Sequence, residues 1–182
     1  EEADRIARLG PAVFVAEARS LDEVPRVLED IGKLAAVDVH ALSRDYSEQL
    51  ARLRRTYAAR PLVTVFLEIW SHPLTTISGK HFMNQALGIC RAKNVFVDLP
   101  GVAPEVSWEA LYARDPAVIV GVGSAPSRRA FRESWAAHAT LSAVREKRLV
   151  YVTPDRLQRP TLRTPQGIAE LCTAIDRVRE RR

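Results

Sequence analysis

The feature that most constrains this chain is an abrupt change of hydrophobic period at Pro61. Upstream, over residues 38–60, Val39, Leu42, Tyr46, Leu50, Leu53 and Tyr57 recur at steps of three and four, one apolar stripe on an otherwise strongly polar helix. Pro61 has no amide hydrogen to continue such a helix and stops it. Downstream, Leu62-Val63-Thr64-Val65-Phe66-Leu67-Glu68-Ile69-Trp70 is almost continuously apolar and rich in β-branched residues, as a strand buried on both faces requires. At about 1.5 Å per residue, a helix over residues 38–60 spans more than about 30 Å, as long as a small domain is wide. That length suits a strut better than a layer of a compact sheet. A doubly buried strand behind it obliges the chain to supply helices for both sheet faces.

The remaining pattern supplies them. Ser78 is a candidate cap for a helix running to residue 93, after a loop at 71–76. Val95-Phe96-Val97 reads as a second strand, and a Pro/Gly-rich loop over 99–104 leads to a short helix capped by Ser107. Residues 117–122 and 149–152 read as third and fourth strands, with helical segments near 127–138 and 140–147 between them. A last helix begins at Pro165 behind a Thr164 cap, with Ile168, Leu171, Cys172, Ile175 and Val178 as its stripe. Before the strut, Pro11-Ala12-Val13-Phe14-Val15-Ala16 is a short apolar run. An amphipathic stretch over 20–35 follows it, with Ser20 and Glu23 spaced as a capping box.

Strands separated by helices predict an α/β fold with a mostly parallel sheet flanked by helices. Three parts are expected: 1–37, the end of a βα unit whose sheet partners are missing; 38–60, the long helix; and 61–182, an α/β lobe. The short apolar run at 11–16 cannot make a stable sheet alone.

Hydrophobic residues at 47% and charged residues at 27% place the chain among globular proteins. No apolar run is long enough to cross a bilayer as a helix. The start, Glu1-Glu2-Ala3-Asp4, is no secretory signal, so the signal of an exported protein is expected to lie outside this sequence. The net charge of +5 raises the question of nucleic acid. Arg44-Asp45 and Arg145-Glu146-Lys147-Arg148 mix signs as solvated faces do, and the basic tail at 177–182 contains Glu180. No aromatic platform accompanies the charge, and no nucleic-acid partner is expected.

Enzymatic signals are weak. Ser78-Gly79-Lys80 lacks the glycine spacing of a phosphate loop, and Gly121-Val122-Gly123-Ser124 lacks the third glycine of a dinucleotide fingerprint. His40, His72, His81 and His138 are scattered, which predicts no protein-built metal centre. No nucleophile elbow is present. The expectation is a binding protein with no catalytic cofactor, an α/β enzyme being the remote alternative. Cys90 and Cys172 stand in no CxxC arrangement and read either as two buried thiols or as one long-range disulfide. Open α/β sheets bind ligands at the carboxyl ends of their strands. The candidate loops there offer Trp70, Ser71, His72, Pro73, Leu74 and Thr76, then residues 100–104, then Asp155, Arg156, Gln158 and Arg159. An aromatic ring, prolines and polar tips suit a flat, amide-fringed ligand.

The stretch from Trp70-Ser71-His72-Pro73-Leu74-Thr75-Thr76-Ile77-Ser78-Gly79-Lys80 through His81-Phe82-Met83-Asn84-Gln85-Ala86-Leu87 closely resembles the cobalamin-binding periplasmic proteins of ABC importers. So do Asn94-Val95-Phe96-Val97-Asp98, Pro104-Glu105-Val106-Ser107-Trp108-Glu109 and Asp115-Pro116-Ala117-Val118-Ile119-Val120. The family belongs to a superfamily of receptors for cobalamin, haem and ferric siderophores. Its members have two α/β lobes joined by one long helix, the class III plan of periplasmic binding proteins. The resemblance implies that residues 1–37 are the end of an N-terminal lobe that is mostly missing, 38–60 the inter-lobe backbone helix and 61–182 the C-terminal lobe. It implies cobalamin as transported ligand, a permease subunit at the inner membrane as partner, and a periplasmic address. Trp70 falls where the family places an aromatic against the corrin, and Asp155 matches a ligand-facing acid. Glu109 sits where these receptors carry an acid that docks to the permease. Where a tryptophan precedes this helix in the cobalamin receptor, this chain has Ala103. Cys90 and Cys172 match a disulfide of that receptor, which ties the first helix of the lobe to its last. A ferric siderophore or haem is the alternative cargo, with His72 the feature to watch as an axial ligand for haem.

Overall fold

The computed structural model describes residues 2–10 and 12–179; Glu1, Pro11 and residues 180–182, the end of the basic tail, lie outside the described residues. Helix α1 (Glu2–Ala7) is followed by an irregular stretch, then a 3-10 turn (Leu21–Glu23) that runs into α2 (Val24–Ala35) and α3 (His40–Tyr57). The chain then continues in the order β1 (Val63–Glu68), β2 (Trp70–Ser71), β3 (Leu74–Thr75), α4 (Phe82–Ile89), β4 (Ala92–Asn94), α5 (Trp108–Arg114) and β5 (Val118–Val122). It closes with α6 (Arg128–Trp135), α7 (Ser142–Arg145), β6 (Leu149–Val152) and α8 (Thr164–Arg179). Strands β4-β1-β5-β6 form a four-stranded sheet in which every pairing is parallel; β2 and β3 form a separate antiparallel pair.

The unbroken apolar run of β1 is explained by two hydrophobic layers. Val65 and Leu67 face one layer with Val118, Val120, Val122, Val150 and Val152, covered by α2, α3, α4 and α8. Phe66 and Ile119 face the other, built with Phe96, Leu111, Phe131 and Trp135. Period-2 alternation therefore sends successive residues of each strand into opposite cores. Phe66 meets Phe96 and Trp135 edge-on, with centroids 5.7 and 5.9 Å apart. Gly121 lies on the Phe66 side, where a Cβ would stand 2.4 Å from the Phe131 ring; only glycine lets that ring lie against the strand.

Helix α3 keeps most of its predicted stripe: Tyr46, Leu50 and Tyr57 are buried and Leu53 packs beside them, against α2 and α8. Leu42 is exposed. The helix is 18 residues long, about 27 Å, shorter than its pattern because Val39 is the N-cap and residues 58–60 turn toward β1. Residues 12–16 form no strand, and Val13, Phe14 and Val15 are exposed.

Three local expectations are corrected. The second strand is Ala92–Asn94, not 95–97. The ladder to β1 ends where the Asn94 side chain takes over, donating to the Ile77 carbonyl (2.8 Å) and accepting from Phe96 N (2.9 Å). Helix α4 is capped by His81, whose Nδ1 accepts from Met83 N at 3.1 Å, and not by Ser78. The neutral tautomer this requires agrees with the lowering of its pKa by burial. The Ser20–Glu23 box does not form: Ser20 makes no side-chain cap, and the Glu23 carboxylate accepts from Arg19 N (2.9 Å). Ser107 does cap α5, accepting from Ala110 N at 3.2 Å.

Cys90 and Cys172 are bonded to each other, S–S 2.01 Å, so α4 is tied to α8 across a separation of 82 residues with both sulfurs buried.

Candidate functional site

The carboxyl ends of β1, β5 and β6 lie on one edge of the sheet. The chain leaves β1 through a tight hairpin, β2–β3, whose turn contains a cis His72–Pro73 peptide. Trp70 Nε1 donates to the His72 carbonyl (2.8 Å) and Thr75 Oγ1 donates to that of Pro73 (3.0 Å). The Trp70 ring is thus held by its edge to its own turn while 61% of the residue stays exposed. An exposed aromatic this firmly held is unusual in a monomeric surface and suits recognition of a flat partner.

The hairpin is fixed to its surroundings on three sides. Beneath it, Thr76 Oγ1 donates to Leu67 O (2.7 Å) and Ile69 N to Thr75 O (3.0 Å). Alongside, the loop at 95–106 is stitched on by Thr76 N to Pro104 O, Ser78 N to Val102 O and Val106 N to Leu74 O. The buried Ser78 hydroxyl adds a bond to Gly101 O (2.7 Å), which is the role this residue has in place of capping a helix. On the third side Ser71 Oγ stands 3.0 Å from the Ser124 carbonyl, which couples the hairpin to the loop after β5. That loop in turn touches the one after β6: Gly123, at φ +69°, is so close to Pro154 that a Cβ would lie 2.8 Å from its ring. The loops at 95–106, 70–75, 123–127 and 153–163 form one continuous rim.

The side chains singled out from the sequence fall on this rim unequally. Trp70, His72, Pro73 and Ala103 are exposed on it. Leu74 is not a rim residue: it is buried with Phe66 and Phe96, because the hairpin's pleat turns it inward. Asp155 is exposed but paired with Arg163 (3.2 Å), and Arg156 is paired with Glu170. Arg159 lines a groove of about 480 Å³ between α2 and the 153–163 loop, with Val24, Leu28 and Leu162. A second groove, of about 990 Å³, opens beside β6 with Ser127, Tyr151, Thr153 and Arg177 on its walls; none of the predicted ligand residues lines it.

Glu109 is exposed in the first turn of α5, and its own backbone N–H and the Ser107 hydroxyl hold its carboxyl below the usual range. The helix carrying it is anchored by an aromatic stack. His138 lies flat on Trp108 with centroids 3.9 Å apart, and its Nδ1 is 2.7 Å from Tyr112 Oη. Burial lowers the His138 pKa. Among the described residues no group of three His, Cys, Asp or Glu is arranged to hold a metal ion, and no helix is long and apolar enough to cross a membrane.

Glu68, at the end of β1 directly below the hairpin, was not among the sequence candidates. It is 2% exposed. Trp135 Nε1 donates to its Oε2 (2.7 Å), and Ser71 Oγ lies 2.5 Å from its Oε1. Burial pushes its carboxyl above the ordinary carboxylate range against the opposing pull of Ser71 and Trp135. The signal available in the sequence was a lone acid inside an otherwise apolar, doubly buried strand.

No family model matches the chain. It is 26% identical over 176 residues to the vitamin B12-binding protein of Vibrio cholerae, which covers 96% of this chain and 63% of that protein. It is 24% identical over 184 residues to the vitamin B12-binding protein of Vibrio parahaemolyticus, covering 100% of this chain and 66% of that one. The chain therefore spans a little under two thirds of the length of these relatives. The crystal structure of the periplasmic vitamin B12-binding protein of Vibrio cholerae superposes with a TM-score of 0.86 at 25% identity, over 98% of this chain and 70% of that one. A periplasmic haem-binding protein of Roseiflexus shares the fold at 15% identity, with a TM-score of 0.81 over 97% and 71%. The resemblance holds over almost the whole chain: it is homologous to vitamin B12-binding proteins and has the α/β fold of class III periplasmic binding proteins.

Proposed function

We propose that this homologue of vitamin B12-binding proteins is the cargo-holding part of a substrate-binding receptor of an ABC importer, that its cargo is cobalamin, and that it works in the periplasm by binding without covalent change. The observation that carries the reading is Trp70, a large aromatic left 61% exposed on a hairpin fixed from three sides at the carboxyl edge of a parallel sheet. A corrin is flat and fringed with amides. It stacks on such a ring, while the backbone groups and the Asp155–Arg163 pair of the neighbouring loops offer hydrogen bonds to its fringe. A rim stiffened before the ligand arrives loses little entropy on binding, which favours affinity. In this reading Glu109, exposed on a helix anchored by the Trp108–His138 stack, docks against a basic surface of the permease.

A second cargo reading rests on His72, whose residue is exposed beside Trp70 and whose imidazole is a ligand type for haem iron. Calorimetric titration of cyanocobalamin into the intact mature protein separates the two. Binding at micromolar or tighter supports the cobalamin reading. A folded protein that gives no heat with cyanocobalamin but develops a ligand-field spectrum with haem, lost in His72→Ala, overturns it in favour of haem.

A further inference from the structure

We propose that Glu68 is a positioning residue of the rim and works as a neutral carboxylic acid, its proton completing a relay from Trp135 through Glu68 and Ser71 to the carbonyl of Ser124. Indole Nε1 only donates, so Trp135 gives its hydrogen to Glu68 Oε2, 2.7 Å away. A backbone carbonyl only accepts, so the 3.0 Å contact between Ser71 Oγ and Ser124 O uses the single hydroxyl proton of Ser71. Ser71 Oγ and Glu68 Oε1 then stand 2.5 Å apart with no proton between them unless Glu68 carries it. Given that proton the distance is an ordinary short O–H···O bond.

The competing arrangement gives the Ser71 proton to an ionised Glu68 and leaves Ser124 O without that donor. It also leaves a carboxylate 2% exposed with only neutral donors, the hydroxyls of Ser71 and Ser124 and the indole of Trp135, and among the described residues no ion pair to Lys or Arg reaches it. Burying an unpaired ion is far more costly than burying the acid form. The charge that acts on Glu68 is that of His72 on the hairpin; its contacts on β2, on the loop after β5 and on α6 are the neutral Ser71, Ser124 and Trp135. The proton thus joins the end of β1, the Trp70 hairpin, the 123–127 loop and α6 into one unit.

Loss of the proton withdraws Ser71 from Ser124 and detaches the hairpin from its neighbour. The folded protein holds this proton more tightly than the unfolded chain does. The stability it contributes is complete below the ordinary glutamate pKa and is lost as pH rises through the higher folded value. If the rim is the ligand surface, as proposed above, cargo affinity falls over the same interval.

The test is infrared spectroscopy of the intact protein at neutral pH, where exposed carboxyls are ionised. A carboxylic-acid C=O band should be present and should vanish in Glu68→Gln. The amide of that variant donates to Ser71 and accepts from Trp135, so rim protection against amide hydrogen exchange at residues 70–76 and cyanocobalamin affinity should persist, without the pH dependence. Glu68→Ala should accelerate that exchange by about tenfold, the loss of two hydrogen bonds. No band in the folded wild type, or a band that survives in Glu68→Gln, overturns the neutral acid. Unchanged exchange in Glu68→Ala overturns the positioning role, and if that variant does not fold, Glu68→Gln and the infrared band decide alone. Failure of every variant to bind cyanocobalamin, with the band and exchange as expected, refutes the cargo and leaves the relay standing.

Discussion

Reduction of the Cys90–Cys172 bond offers a perturbation whose size follows from the chain itself. The bridge closes a loop of 82 residues and joins the end of α4 to the middle of α8. In the chain-entropy account, opening such a loop in the unfolded state costs about 4.5 kcal/mol of stability at room temperature. The folded state should barely respond, because other contacts hold the two helices together. Arg179 Nη2 donates to the Cys90 carbonyl (2.7 Å), and Ile168, Leu171 and Leu87 pack in the same core. For a chain of this length the midpoint of thermal unfolding should fall by roughly 9–18 °C. Urea unfolding of oxidised and reduced protein, followed by far-ultraviolet circular dichroism, measures the difference directly. The reduced form should also show a larger dependence on urea, since its unfolded chain is less confined. A stability loss under about 1 kcal/mol, with the fold intact, would refute the reasoning and mean that the unfolded chain keeps α4 and α8 together without the bridge.

Other expectations test single features. Gly121→Ala forces a Cβ within 2.4 Å of the fully buried Phe131 ring and should cost about 1–3 kcal/mol in urea unfolding; a cost below about 0.5 kcal/mol would show that the ring yields. Trp70→Ala removes an exposed ring and should leave unfolding nearly unchanged while weakening cyanocobalamin binding by about tenfold in calorimetry. Equal affinity in that variant would remove Trp70 from the ligand surface. Glu109→Arg should leave cargo affinity intact and impair uptake in cells lacking the native receptor, and unimpaired uptake would take Glu109 out of permease docking.

The relation between sequence and structure differs from element to element. The α3 stripe and the apolar runs of β1, β5 and β6 were legible because period is a local property: a buried face must recur at 3.6 or 2 residues wherever the partner lies. β4 was misplaced by three residues. The β-branched run 95–97 has the better strand propensity, but pairing with β1 is set by where Asn94 finds its buried partners. Ser78 carries a cap's chemistry and uses it on a loop that is distant in sequence, at Gly101. Leu74 belongs to the right segment but to its buried side, a distinction made by one step of pleat. Asp155 and Arg156 were recognisable as loop residues, whereas their pairing with Arg163 and Glu170 was not.

By itself, then, the sequence determined the α/β class, the amphipathic helix ahead of β1, the apolar runs of β1, β5 and β6 and the motif around Trp70. All of these are recorded in the period or identity of neighbouring residues. Only the tertiary structure decided which face of the hairpin is wet, which loops meet at Gly123, and that Glu68 lies at the foot of the hairpin in contact with Ser71 and Trp135. Glu68 and Trp135 are 67 positions apart. Their meeting depends on how two strands and a helix pack, and no local pattern of residues encodes that distance.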